Sequence, residues 1–193
     1  MENIEIELKF EIRFEEISSY ISKLENLGFK NIGRVHEMNV MYDNGKQLMQ
    51  ATDGRIRLRK SGDDTRLTYK KPLSRKGVKK EIEYEISVSD FDKTEKILEM
   101  MEFKRTTSYE RYRTYLDNHN IEVMIDEFPF ATFIEIEGEE TKIKVIASKL
   151  GFSMKDNLTG SCDTIYTKRC ISQGISPSLH ILFGKCNIPN LVL

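Results

Sequence analysis

Glu5, Glu7 and Lys9 take alternate positions in the opening decapeptide M-E-N-I-E-I-E-L-K-F, with Ile4, Ile6, Leu8 and Phe10 between them. The same device recurs along the chain. Arg55, Arg57 and Arg59 alternate with Ile56 and Leu58; Arg66, Thr68 and Lys70 with Leu67 and Tyr69; Glu81, Glu83 and Glu85 with Ile82, Tyr84 and Ile86. Arg111 and Arg113 flank Tyr112, Asp126 follows Ile125, and Glu135 and Glu137 are backed by Ile134 and Ile136. At a period of two, each set shares one face of a β-strand. A water-facing sheet surface mixes both signs of charge with uncharged polar residues; here the signs come in blocks. Same-face neighbours lie about 7 Å apart, so each block repels itself. Such blocks imply a counter-charge brought by a ligand. Carboxylate rows attract hard divalent cations, and arginine rows attract phosphate or carboxylate oxygens. A polyphosphate chelated by Mg²⁺ or Mn²⁺ supplies both partners at once.

The elements that must position these rows follow from period. Segments 4–13, 34–43, 54–60, 65–71, 79–89, 105–116, 120–127 and 132–138 alternate as strands. Asp53-Gly54, Ser61-Gly62-Asp63-Asp64 and Asn118-His119-Asn120 mark turns. Three segments have helical period. The first carries Ile17, Tyr20, Ile21, Leu24 and Leu27 and ends at Gly28. The second follows Asp90 as N-cap. The third carries Ile143, Ile146, Ala147 and Leu150 and ends at Gly151. The expected fold is α+β: an eight-stranded antiparallel closed β-barrel, a tunnel with a charged interior, flanked by about three helices that cover its apolar outside. Residues 1–172 form the expected domain. Residues 173–193 have no period and are expected to be a C-terminal tail.

Composition narrows the function classes. The 193 residues suit one domain, with 30 basic against 31 acidic residues and a net charge of −1. That balance gives no reason to expect nucleic-acid binding. No run approaches the roughly 20 apolar residues of a membrane helix. The acidic N-terminus lacks a signal-peptide core, and Cys162, Cys170 and Cys186 fit no zinc spacing, so free thiols in the cytoplasm are expected. His36, His119 and His180 follow no ligand spacing.

The ordered set Glu5-x-Glu7-x-Lys9, Arg57-x-Arg59, Leu67-Thr68-Tyr69-Lys70, Glu83-x-Glu85, Arg111-x-Arg113, Asp126 and Glu135-Ile136-Glu137-Gly138 resembles the signature of the CYTH domain, or triphosphate tunnel metalloenzyme, superfamily. The resemblance runs from about residue 2 to 170. It implies a tunnel that binds triphosphate groups through a divalent cation, Mg²⁺ or Mn²⁺. By motif position, Glu5, Glu7, Glu135 and Glu137 hold metal, with Glu83, Glu85 and Asp126 assisting. Lys9, Arg57, Arg59, Lys70, Arg111 and Arg113 grip phosphates, and Arg55 and Arg66 share their parity. Lys9, beside Glu5 and Glu7, is a candidate for contact with the scissile phosphate or for proton transfer.

Two departures stand out. Where many members carry a Gln-x-Asp-x-Tyr-like run, this chain has Asn39 and Met41 at the Asp and Tyr positions. The segment Phe128-Pro129-Phe130-Ala131 also replaces a glycine-bearing turn. The resemblance implies a metal-dependent hydrolase of tripolyphosphate, nucleoside triphosphate or thiamine triphosphate. The first alternative is a class IV adenylyl cyclase, whose members often carry a His-Phe pair where this chain has Met1-Glu2-Asn3-Ile4. The second is a non-catalytic polyphosphate-binding module. No membrane partner is expected, and a dimer stays open.

Overall fold

The computed structural model describes residues 4–44, 54–74, 77–186 and 188. Its alternating segments form β1 (Ile4–Ile12), β2 (Lys30–Asn44), β3 (Arg55–Ser61), β4 (Asp64–Ser74), β5 (Lys79–Ser87), β6 (Phe103–Asp117), β7 (Ile121–Phe128) and β8 (Ala131–Gly138). Neighbours run in the order β2-β3-β4-β5-β1-β8-β7-β6, and β6 pairs back onto β2, which closes an eight-stranded antiparallel barrel. A two-residue strand, β9 (His180–Ile181), runs parallel to β6 beside Ser108 and Tyr109, where β7 no longer covers it. Asp53 of the expected turn before β3, and residues 187 and 189–193 of the expected tail, lie outside the described residues.

Four helices accompany the barrel among the described residues: α1 (Ile17–Asn26), α2 (Phe91–Met100), α3 (Glu140–Leu150) and α4 (Cys162–Ser172). The first three match the periodic segments. They end alike, with a left-handed residue followed by a phenylalanine: Gly28, Gly151 and, without glycine's freedom, Glu102 at φ 69°. After α1 and α3 the Phe29 and Phe152 amides reach back to the Leu24 and Ala147 carbonyls, the bond pattern of a Schellman cap. Phe152 then stacks on Phe10 of β1, with centroids 4.3 Å apart.

The apolar strand faces do point outward. α1 and α3 bury Leu8, Phe10, Ile12, Val123, Ile125, Ile134 and Ile136, each at most 7 % exposed. α2 packs Leu98 against Val40, Tyr42 and Leu58. The cover is not complete: on β5, Tyr84 and Ile86 keep more than half their surface exposed.

α4 is the element that period did not reveal. Its buried stripe is Cys162, Tyr166 and Cys170, at i, i+4 and i+8, too weakly apolar to stand out. With Ile175, Ile181 and Ile188 it packs against Met41, Tyr109, Phe128, Phe130 and Phe133. Met41, Tyr109, Phe128 and Phe133 have the inward parity of their strands. One end of the barrel is therefore floored by an apolar cluster rather than open.

Candidate functional site

Strand register decides which charges meet. On one wall, β1 sets Glu5 opposite Glu81, Glu7 opposite Lys79 and Glu137, and Lys9 opposite Glu135. On the other, β3 sets Arg59 opposite Asn39 and Arg57 opposite Met41, while β2 sets Glu37 opposite Arg111. All of these side chains except those of Glu81 and Asn39 line a cavity of about 670 Å³ inside the barrel. Its mouth carries Ser61, Asp64 and Arg66 of the β3–β4 hairpin, and its floor carries Met41, Tyr109, Phe128 and Cys162.

β1 and β5 pair only over Ile4–Glu7, so the barrel would gape beside Lys9. The strap before α4 fills the gap. Leu158 N–H donates to the Lys9 carbonyl at 2.8 Å, the Lys9 N–H donates to Asn157 Oδ1 at 2.9 Å, and Asn157 Nδ2 donates to the Gly77 carbonyl at 2.5 Å. Lys9 Nζ, aimed inward, donates to the Gly160 carbonyl at 3.3 Å and pairs with Glu135 at 2.9 Å and Glu7 at 3.1 Å.

Two carboxylate triads have oxygens within 4.8 Å of one another: Glu7, Glu135 and Glu137, and Glu5, Glu7 and Glu81. They fit a hard divalent cation. Glu5 Oε1 is buried without a hydrogen-bond partner, and Glu7 Oε1 has the Lys9 ion pair at 3.1 Å. Burial, followed by repulsion from Glu5, Glu7 and Glu135, pushes the Glu137 carboxyl well above its usual range. A cation would relieve that crowding. Glu83, Glu85 and Asp126 stand in neither triad. Glu83 pairs with Lys70 at 3.0 Å. Glu85 accepts from Arg59, Arg66 and Thr68; these cations and the Thr68 hydroxyl outweigh its burial and hold its carboxyl down at about 2. Asp126 clamps Arg111 at 2.8 Å and Arg113 at 2.5–2.6 Å.

The phosphate candidates converge as their parity predicts. Arg57, Arg59, Lys70, Arg111 and Arg113 all line the cavity, as do Arg55 and Arg66. Several hold carboxylates strongly: Lys70 meets Glu5 at 2.5 Å, Arg113 meets Glu135 at 2.6 Å, and Arg55 meets Glu81 at 2.7 Å. Arg57 lies beside Tyr109 and donates to Thr68 and Glu85 only at 3.4 Å, and its Nε has no hydrogen-bond partner. Arg111 Nη2 also has none. A buried donor left unpaired costs about 1–3 kcal/mol, so both point to an acceptor still to come.

Burial weakens the Lys9 ammonium, but Glu135 and Glu7 overrule it and hold the group protonated well above its usual range. Lys9 is thus a fixed cation at neutral pH. Glu135 is the converse: burial raises its carboxyl, and Lys9 and Arg113 bring it well below the usual range.

Sequence reasoning left out Glu37, Lys79, Glu81 and Tyr115 as site residues. Glu37, fully buried, accepts from Arg111 at 2.7 Å and from the Tyr115 hydroxyl at 2.9 Å. Lys79 bridges Glu7 at 2.8 Å and Glu81 at 2.9 Å. The signal was present in parity: Lys79 shares the face of Glu81, Glu83 and Glu85, and Tyr115 that of Arg111 and Arg113.

Residues 3–156 match the CYTH domain family. This chain belongs to the CYTH domain family. Over 133 residues, 68% of this chain and 76% of its relative, it is 25% identical to the "Putative adenylate cyclase MJ0240" of Methanocaldococcus jannaschii. Among solved structures, the PH1012 protein of Pyrococcus horikoshii superposes with a TM-score of 0.70 at 23% identity, covering 81% of this chain and 96% of that one. The "putative adenylyl cyclase HpAC1" from Hippeastrum, described as having a dominant triphosphatase activity, superposes at 0.58 with 15% identity, covering 93% and 99%. These likenesses carry the fold of the CYTH domain. No described helix is long and apolar enough to cross a membrane.

Proposed function

We propose that this CYTH domain is a divalent-metal-dependent hydrolase of triphosphate-bearing small molecules: inorganic tripolyphosphate, a nucleoside triphosphate or thiamine triphosphate. The observation that carries this reading is that one cavity sets carboxylate triads, close enough to share one cation, across from Arg57 Nε and Arg111 Nη2, buried donors with no hydrogen-bond partner. Glu7, Glu135 and Glu137 would hold Mg²⁺ or Mn²⁺, with Glu5 and Glu81 as the neighbouring triad. Bound there, the ion would neutralise phosphate oxygens and polarise an attacking water. Arg57, Arg59, Arg111 and Arg113 bind and orient the phosphates, and with Lys70 they stabilise charge that develops on the leaving oxygens. Lys9 acts as a cation against the scissile phosphate rather than as a base, because Glu7 and Glu135 keep it protonated. The apolar floor excludes water behind the phosphates. It also makes the triphosphate enter with its terminal phosphate leading, so any organic group stays at the mouth beside Ser61, Asp64 and Arg66.

The name of the Methanocaldococcus relative favours a second reading, cyclisation of ATP. One assay separates the two. The protein is incubated with Mg²⁺ or Mn²⁺ and, separately, tripolyphosphate, ATP and thiamine triphosphate. Orthophosphate release is the expected result. Cyclic AMP with pyrophosphate would establish the cyclase instead, and no turnover of any of the three would refute both.

A further inference from the structure

Toward the mouth, the inward row of β6 passes from Arg111 and Arg113 to Tyr115. The Tyr115 ring is half-buried and lines the cavity, with the Arg113 guanidinium 5.6 Å from its centre. Its hydroxyl donates to Glu37 at 2.9 Å, which fixes the ring's orientation. Met124 of β7 stands in register beside it, and Val35 of β2 stands in register with Arg113; both line the same cavity. Gly33, opposite Tyr115 on β2, brings no side chain over the ring. Among the described residues the ring packs on no other aromatic ring. A tyrosine, a methionine and a valine thus form an apolar shelf next to the arginine wall, while Ser61, Asp64 and Arg66 make the mouth polar elsewhere.

Phosphate has no use for such a shelf, because its oxygens are bound by charged donors. A flat heteroaromatic group does: stacked on an aromatic side chain it gains about 1–3 kcal/mol. The reach agrees. Tyr115 lies four residues along β6 from Arg111, about 13 Å. With its terminal phosphate on Arg57 and Arg111, a triphosphate and the organic group esterified to it cover that span, whereas inorganic tripolyphosphate stops short of the shelf.

We propose that Tyr115, with Val35 and Met124 beside it, is the specificity-determining subsite for the organic group. It stacks the flat heteroaromatic ring of a nucleoside or thiamine triphosphate and makes such a substrate preferred over inorganic tripolyphosphate. The inference rests on the triphosphate reading above and narrows its substrate class.

The test compares Tyr115→Leu, Tyr115→Phe and the wild type by orthophosphate release, with Mg²⁺ and, separately, tripolyphosphate, ATP and thiamine triphosphate. Both variants lose the hydrogen bond to Glu37, but only leucine loses the ring. The quantity read is kcat/KM for each organic substrate divided by kcat/KM for tripolyphosphate. The expected ratio is kept in Tyr115→Phe and about tenfold lower in Tyr115→Leu, with the loss in KM. The substrate whose ratio falls, ATP or thiamine triphosphate, identifies the ring that stacks there. Val35→Ser, at an exposed rim position with little bearing on folding, lowers the same ratio by less. Equal ratios in Tyr115→Leu and Tyr115→Phe for both organic substrates would overturn the proposal, because the ring would then serve only the fold. A wild type with a higher kcat/KM for tripolyphosphate than for either organic substrate would also overturn it and leave the triphosphate reading standing. No turnover of any of the three by the wild type would overturn that reading and this inference with it.

Discussion

Replacing Glu37 with glutamine isolates the electrostatic cost of the tunnel. Glu37 is fully buried and serves Arg111 at 2.7 Å, Tyr115 at 2.9 Å and Arg59 at 3.6 Å. Glutamine keeps the shape but removes the charge and turns an NH₂ group toward guanidinium donors. Breaking one partner of a buried charge pair costs about 3–5 kcal/mol. With a urea slope of about 2 kcal/mol per molar, the unfolding midpoint falls by about 2 M at pH 7. The loss depends on pH in a stated direction. Burial raises the Glu37 carboxyl, but Arg111, Arg113 and Arg59 hold it below its unfolded value of 4.5. The unfolded chain therefore takes up the proton first. The group's contribution is complete above about pH 5 and declines as the pH falls, by about 1.4 kcal/mol per unit. At pH 3 the gap between wild type and Glu37→Gln is smaller than at pH 7 by about 2 kcal/mol. Urea titrations at the two pH values read this directly. Equal midpoints at pH 7, or a gap that does not change with pH, would refute the reasoning.

Two further outcomes test the frame around the site. Phe130→Ala removes a ring packed against Phe128, Phe133 and Tyr166 in the tunnel floor, and denaturant titration should show a loss of about 3–5 kcal/mol. Glu102→Gly relieves a left-handed backbone that a glutamate adopts at a cost, and should raise stability by about 1 kcal/mol, read as a higher melting temperature.

Much of this architecture is legible in the residues because a strand's period is two. The blocks around Glu5, Arg57, Arg111 and Glu135 each fix a face, and eight such faces close with the ionic side inward. Parity carries no information about partners across strands, which depend on register. For that reason Glu83, Glu85 and Asp126 looked like their acidic neighbours, whereas register sets Glu83 against Lys70, Asp126 against Arg113 and Glu85 against Thr68, within reach of Arg59 and Arg66. The floor had a signal of its own. The inward row turns from polar or ionic to apolar at one end of four strands: Asn39 to Met41, Arg111 to Tyr109, Asp126 to Phe128, and Glu135 to Phe133. The cover over that end, α4, stayed hidden because its buried stripe is two cysteines and a tyrosine, and because the residues after Gly174 pack through scattered isoleucines rather than a periodic face.

The account's central claim is that cation and triphosphate meet inside the barrel, between its acidic and arginine walls. A crystal grown with Mn²⁺ and a non-hydrolysable tripolyphosphate analogue tests it most directly. The predicted result is an anomalous manganese peak ligated by Glu7, Glu135 and Glu137, with the analogue's phosphates on Arg57, Arg59, Arg111 and Arg113 and its innermost phosphate toward the floor. Manganese bound away from those carboxylates, or an analogue seated outside the barrel, would contradict it.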